Sequence, residues 1–407
     1  MAGGETRPAP PAWVNEDFIQ NALREGDGDP TLKVFSCEVR WANTVGDNYG
    51  SDMYRAVATL ESGERRSMIV KCHPHGNITE AVMKKWQAFE KEINMFTHTL
   101  PAMHSLLEEV APGKFKPFSS RCLHIGESPV PFLVLEDLKE AGFITLQKQK
   151  RLDVKHSLCA VTTLARFHAT SLVLYDQDPT SLEYYDEGLY RPSMREDIGG
   201  IIEGSVRSLQ AEVAKWPGYE EYAQKLKNLE NTCFDRLVEV CRRKDGGFNT
   251  LIHGDPWTTN MMFKYSDSEL IDFRLVDFQT AHYSSPALDL QYFFHTCVSD
   301  EVYTDHLQDL IREYHSTFIR ALDALGCTKY HITLNEIKRE MDNHMYFAFF
   351  AASTVLPVIL SEPEEGYNVE ESLKNKEMHT GGKIYSGETY CKAIKIFLPL
   401  FVSKGIL

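Results

Sequence analysis

The stretch Leu251 to Asn260, LIHGDPWTTN, and the segment that answers it, Arg274 to Gln279, RLVDFQ, constrain this chain more than any other part of it. In the first, a carboxylate at Asp255 and an amide at Asn260 stand five positions apart after a short apolar run. In the second, Leu275 and Val276 deliver another carboxylate, Asp277, at the end of what reads as a strand. Phosphoryl transfer needs Mg2+ held against phosphates, charge neutralised on the group in flight, and an acceptor hydroxyl oriented. Mg2+ prefers hard oxygen ligands, which the Asp277 carboxylate and the Asn260 side-chain carbonyl supply. Asp255, one loop away, can accept or orient the hydroxyl proton. The spacing is that of a kinase catalytic loop followed by a metal-binding aspartate. The plainer alternative is an Asx-capped turn, with Asp277 an ordinary strand-end residue.

Upstream, residues 1 to about 12 are small and Pro-rich and read as disordered. Trp13 to Leu23 has the spacing of a short helix. Val34–Val45 and Met53–Leu60 then read as two strands around a tip that carries Gly46, Asn48, Gly50 and Ser51. Glycines at such a tip let backbone N–H groups approach phosphate closely, although on its own the tip is more simply a hairpin turn. Ser67 to Lys71, SMIVK, is an apolar run ending in a cation, either a third strand whose Lys71 meets nucleotide phosphates or a strand with a solvated terminal lysine. Val82, Trp86, Phe89, Ile93, Phe96 and Leu100 then recur at steps of four and three, predicting one amphipathic helix. Glu90 and Glu92 flank that stripe, and helical spacing does not choose between them.

HGDPWTTNMMF together with LVDFQTAHYSSPALDLQYF resembles the ecdysteroid kinase-like family of insects, a branch of the choline and aminoglycoside phosphotransferase group with a protein-kinase-like fold. The resemblance implies an α+β, two-lobed fold: a small antiparallel β-sheet lobe with one helix over residues 1–138, and a large, mainly α-helical lobe over residues 139–407. It implies ATP and Mg2+ as cofactors, Asp255 as catalytic base, and Asn260 and Asp277 as metal ligands. Glu92 rather than Glu90 becomes the partner of Lys71, and the backbone around Glu136 to Leu138 becomes the hinge that meets adenine. Asp289 corresponds to a buried aspartate that braces the catalytic loop. The chain departs from the usual pattern at Pro256, where a bulkier apolar residue is common, so the backbone at Asp255 is expected to be slightly reset.

Composition narrows the partners. A chain of 407 residues suggests two or three compact units. With Lys plus Arg at 43 and Asp plus Glu at 58, the net charge of −15 argues against a nucleic-acid partner. Nine cysteines without a C-x-x-C pair speak against a disulfide framework or a structural zinc site. The start, MAGGETRPAPPAW, lacks the apolar run of a signal peptide, and a cytoplasmic protein without a membrane span is expected. The sequon at Asn77 then carries no meaning.

In the second half, Val154–Tyr175 reads as a long helix with His168 as a satisfied core histidine, and Tyr219–Arg243 reads as another helix. Tyr184–Gly218 shows few regular signals and is placed near the acceptor side by analogy alone. His253 reads as a structural tie, Trp257 as a packing residue, and the aromatics from Phe293 to Phe350 as core, some of them open to lining an apolar acceptor pocket. The expected reaction is ATP-dependent phosphorylation of a small-molecule hydroxyl, on an ecdysteroid or a hydroxylated xenobiotic. A choline or aminoglycoside acceptor and a catalytically silent steroid- or protein-binding chain are the competing readings.

Overall fold

The computed structural model describes residues 8–42, 51–73, 78–362, 369–376 and 383–407. Gly46, Asn48, Gly50 and Asn77 lie outside these residues, so the glycine tip has no structural account. The chain divides into two compact units, one of residues up to Phe89 with Ser119–Phe143, the other of Glu90–Phe118 with Ile144–Leu407.

The first unit is an antiparallel sheet of β1 (Val34–Trp41), β2 (Asp52–Leu60), β3 (Arg65–Cys72), β4 (Cys122–Gly126) and β5 (Phe132–Glu136), in the order β1-β2-β3-β5-β4. Alternation in β2 sends Tyr54, Ala56, Ala58 and Leu60 to the buried face. One helix, α1 (Glu16–Asp27), covers that face with Ile19, Ala22 and Leu23. Its start is set by Asn15, whose side chain accepts the Phe18 N–H at 3.0 Å, and its end by Gly28 at φ 65°. Of the Pro-rich residues expected to be disordered, those from Pro8 onward are described, and the Trp41 indole N–H donates to the Pro8 carbonyl at 2.9 Å. Lys71 near the end of β3 is 2% exposed, and Ser51 ahead of β2 is buried as well. Glu136 closes β5, with its carboxylate accepting the Arg121 N–H at 3.2 Å, and Leu138 is buried. Between them Asp137 takes the Arg55 guanidinium at 2.6 and 3.2 Å and the Ser67 hydroxyl at 2.7 Å. Burial opposes its charge, yet those donors hold the carboxyl below the usual carboxylate range.

The second unit is mainly helical. Val154–Gln177 forms its longest helix, capped by Asp153 and buried along most of its length. It is the one straight helix among the described residues long and apolar enough to cross a membrane, and 78% of its most apolar window is buried inside the protein. His168 on this helix is fully buried between Asp289 and Tyr314.

Four expectations change. The single helix over residues 82–100 is instead Ile78–Trp86, Ala88–Asn94, a π-turn at Met95–Thr99 and Leu100–Val110, because Gln87 adopts a left-handed φ of 59° and breaks the first hydrogen-bond run. Tyr184–Gly218 holds a helix, Gly200–Val213, which buries Ile202, Val206, Leu209 and Val213. Tyr219–Arg243 is two helices, Glu220–Leu229 and Cys233–Cys241. Where one boundary near residue 138 was expected, the units interleave. Lys91 donates to the Glu187 carbonyl, Asn94 to the Tyr185 hydroxyl at 3.0 Å, and Thr99 pairs with the same hydroxyl at 2.9 Å, so this helical segment packs within the second unit.

Candidate active site

Strand Thr250–Ile252 pairs antiparallel with His282–Ser284 and delivers the loop that begins at His253. Gly254 takes φ +82°, and a Cβ there would lie 2.4 Å from the Thr280 carbonyl oxygen, so only glycine fits the turn. The loop is held from beneath by Asp289, which is fully buried on the helix Ala287–Thr296. Its two carboxylate oxygens accept the His253 and Gly254 backbone N–H groups at 2.8 Å each, and Oδ2 also accepts His168 Nε2 at 3.0 Å. Hydrogen bonds to a charged group are worth about 1.5–3 kcal/mol each, which makes this clamp the stiffest tie in the loop. Burial alone would raise the Asp289 pKa, but the His168 bond and the loop N–H donors hold it below the usual range.

His253 acts as a second tie. Its Nδ1 accepts the Asp255 N–H at 3.3 Å, so Nε2 carries the proton and donates to the Val276 carbonyl at 3.1 Å. Burial lowers its pKa and favours that neutral tautomer. The ring rests against Phe278 at 4.8 Å, and Phe278 packs in turn on Phe96 and Phe167.

Asp255 is half-buried at the loop's tip. Its Oδ1 accepts the Tyr292 hydroxyl, and Oδ2 accepts Asn260 Nδ2 at 3.2 Å. Desolvation pushes its pKa up to about 7, with repulsion from Asp277 adding to the shift and the Tyr292 and Asn260 donors opposing it. A carboxylate with a pKa near neutrality suits proton transfer at pH 7. Pro256 is buried, its carbonyl accepts the Cys297 thiol at 3.3 Å, and Asp255 keeps a negative φ.

Asn260 gives Nδ2 to the Asp255 backbone carbonyl as well, at 3.1 Å, which leaves its Oδ1 as the atom that a cation could use. Its backbone carbonyl accepts the Val276 N–H at 3.0 Å, tying the loop to the residue between the strand Glu269–Leu275 and Asp277. Asp277 itself sits at φ 65°, a left-handed conformation that a non-glycine residue holds only where its surroundings enforce it. The next residue, Phe278, donates its N–H to Glu92 Oε1 at 3.2 Å. Glu92 is 1% exposed while Glu90 is exposed, so the buried side of the helix carries the residue the resemblance favoured.

These oxygens suit a hard divalent cation. Asp277 and Asn260 supply two, and phosphates and water would fill the remaining positions, as is usual for Mg2+. Among the described residues no three His, Cys, Asp or Glu side chains gather into a self-sufficient metal site.

The second unit thus brings together Asp255, Asn260, Asp277, Asp289 and Glu92, while Lys71, Ser51, Glu136 and Leu138 belong to the first. Sequence reasoning missed Tyr292 and Tyr190. Tyr292 stands three residues after Asp289, a spacing that puts both on one helix face and was available as a signal. Tyr190 is half-buried, 4.8 Å from Phe350 and 6.0 Å from Phe347, and its phenol is pushed up by burial first and then by nearby charges that include Asp255. No local pattern announces it.

No curated protein matches this sequence. Solved structures similar to it include a Ralstonia eutropha protein assigned as an aminoglycoside phosphotransferase (10% identity, 93% of this chain and 97% of that one, TM-score 0.42). They also include an aminoglycoside 2′-phosphotransferase IIIa variant in complex with GDP (12% identity, 96% and 100%, TM-score 0.43). A third is amicoumacin kinase with AMP-PNP and Ca2+ (13% identity, 87% and 88%, TM-score 0.37). The model of the ecdysteroid kinase-like family matches residues 45–327, well over half of the chain. The chain, with an antiparallel-sheet unit and a mainly helical unit in an α+β fold, therefore belongs to the ecdysteroid kinase-like family of small-molecule kinases.

Proposed function

We propose that this chain transfers the γ-phosphoryl group of ATP, with Mg2+, to a hydroxyl of an ecdysteroid or a hydroxylated xenobiotic in the cytoplasm, as hormone inactivation or detoxification. The observation that supports it best is the joining of Asp255, Asn260 and the Asp277 strand end through one short hydrogen-bonded loop. In this reading Asp255 takes the proton of the acceptor hydroxyl as its oxygen bonds to the γ-phosphorus, and the β–γ bridging oxygen leaves with ADP. Asn260 and Asp277 hold Mg2+, which neutralises phosphate charge when bound. The nucleotide-binding part assigned by this reading, Lys71 and the glycine tip with Ser51 for the phosphates and the backbone of Glu136 to Leu138 for the adenine, belongs to the first unit.

Two features favour a flat, uncharged acceptor. The carboxylates that bear most on Asp255 are Asp277 and Asp289, and both have other tasks. The rings near the base, Tyr190, Tyr292, Phe347 and Phe350, offer an apolar wall. The net charge of −15 supports a second reading, a cationic choline- or aminoglycoside-type acceptor. The test is incubation with Mg2+-ATP and a panel of ecdysteroids, plant phenolic glycosides, choline and aminoglycosides, read by mass spectrometry for a gained phosphoryl group. We expect a phosphorylated steroid or phenolic product, and no product from Asp277→Ala. Normal turnover by Asp277→Ala would remove the metal assignment, and a product from choline or an aminoglycoside alone would replace the acceptor.

A further inference from the structure

The geometry points to Tyr292 as a positioning residue for phosphoryl transfer: its buried hydroxyl, carried on the helix face that also carries Asp289, fixes the plane of the Asp255 carboxylate toward the acceptor. This inference rests on Asp255 being the base.

Every residue of the helix Ala287–Thr296 is buried, so the helix is a rigid platform with no solvent-facing side. Asp289 and Tyr292 are three positions apart and point to the same neighbour. Through Asp289 the helix grips the backbone of His253 and Gly254, and through Tyr292 it grips the side chain of the next residue, Asp255. Three consecutive loop residues therefore take their position from one element. Asn260 Nδ2 holds the opposite carboxylate oxygen at 3.2 Å. A carboxylate bonded at both oxygens from two directions cannot turn about its Cβ–Cγ bond, and each oxygen still has a lone pair for a substrate hydroxyl. Fixing a base in one orientation before the reaction lowers the barrier by the entropy otherwise lost in the transition state. The Tyr292 hydroxyl keeps its proton throughout. The acceptor proton passes to Asp255, and no bond to Tyr292 forms or breaks.

A tyrosine at 4% exposure also needs a hydrogen-bond partner simply to be buried, and Asp255 would serve that need without any consequence for catalysis. The two roles separate in a double-mutant cycle of Tyr292→Phe and Asp255→Asn. With the acceptor that the panel assay identifies, we expect Tyr292→Phe to lower kcat about 10- to 100-fold, with both KM values within about twofold of the parent. In the Asp255→Asn background the same change should alter kcat by less than about twofold. Phenylalanine keeps the ring that lies 6.3 Å from Phe347, and ATP affinity and a thermal melt check that the variant is folded. Incorporation of 3-fluorotyrosine at position 292, which keeps the hydroxyl donor, should hold kcat within about threefold of the parent. An unchanged kcat in Tyr292→Phe, an undiminished loss in the Asp255→Asn background, or equal losses for phenylalanine and 3-fluorotyrosine would each overturn the inference. Full activity of Asp255→Asn alone would instead remove the base assignment on which it rests.

Discussion

Gly254 is the residue on which the loop's path depends. At φ +82° an alanine would be strained even in open space, and here its Cβ would stand 2.4 Å from the Thr280 carbonyl oxygen, a backbone atom with little room to move. Thr280 is itself fixed, since its hydroxyl donates to the His253 carbonyl at 2.8 Å. We expect Gly254→Ala to cost about 2–4 kcal/mol of stability and to lower kcat at least about 100-fold, because relief of the clash must displace Asp255. A thermal melt beside a turnover assay checks this, and a variant that melts with the parent and turns over normally would show that the turn has another solution. Asp255→Asn should lower turnover by about 10² to 10⁴ while ATP binding persists, as measured by titration calorimetry. The residues behind these predictions were readable in the sequence because their chemistry is local. Histidine, glycine, aspartate and asparagine at fixed short spacings have few other uses together. Tyr292 was not readable in the same way, because its contact spans 37 positions and its type is that of an ordinary core residue.

At the scale of elements, periodicity located β1, β2, β3 and β5 and the helix Val154–Gln177, and it failed where tertiary contacts overrule it. The stripe from Val82 to Leu100 is largely buried, at Val82, Trp86, Phe89 and Phe96, yet Gln87 breaks the helix and the segment also buries Lys91 and Glu92, which no apolar stripe predicts. Lys91 is 1% exposed, donates to the Glu187 carbonyl, and faces Arg191, Glu187 and His282. It joins the helix that carries Glu92 to the segment that leads to Tyr190. Burial first, and then the Arg191 charge, bring its pKa down from 10.5 to about 8, with Glu187 opposing. Below about pH 8 both folded and unfolded chains hold this proton, and the fold bears the cost of a buried ammonium. Between that pH and the unfolded value, the unfolded chain binds a proton the native one has released, so this group makes stability rise with pH. Relative to Lys91→Met, the parent should therefore gain about 2 kcal/mol between roughly pH 7 and 9.5 in urea denaturation. Parallel stability curves for the two proteins would show that the Lys91 ammonium is not penalised.

At the scale of the whole molecule, a chain with a net charge of −15 has to handle the polyanion ATP and a second substrate whose charge is at issue. The alternation of segments between its two units was invisible in the sequence: the helical insertion Glu90–Phe118 follows directly on first-unit residues, and tertiary contacts, among them its bonds to Tyr185, Glu187 and Phe278, assign it to the second. A net charge of −15 creates a field that draws cations inward and leaves neutral molecules unaffected. Such attraction between exposed charges weakens as added salt shortens the Debye length from about 10 Å at 0.1 M to about 3 Å at 1 M. A steroid or phenolic acceptor carries no charge to be steered, so its kcat/KM, measured at saturating Mg2+-ATP, should change by less than about twofold between roughly 0.05 and 0.5 M salt. A cationic acceptor should lose about tenfold or more over the same range. Saturating nucleotide matters here, because ATP binding has its own salt dependence and would otherwise mask the result. Steep salt dependence with the preferred acceptor would mean that the molecule's charge, and not the aromatic wall beside Asp255, selects what it phosphorylates.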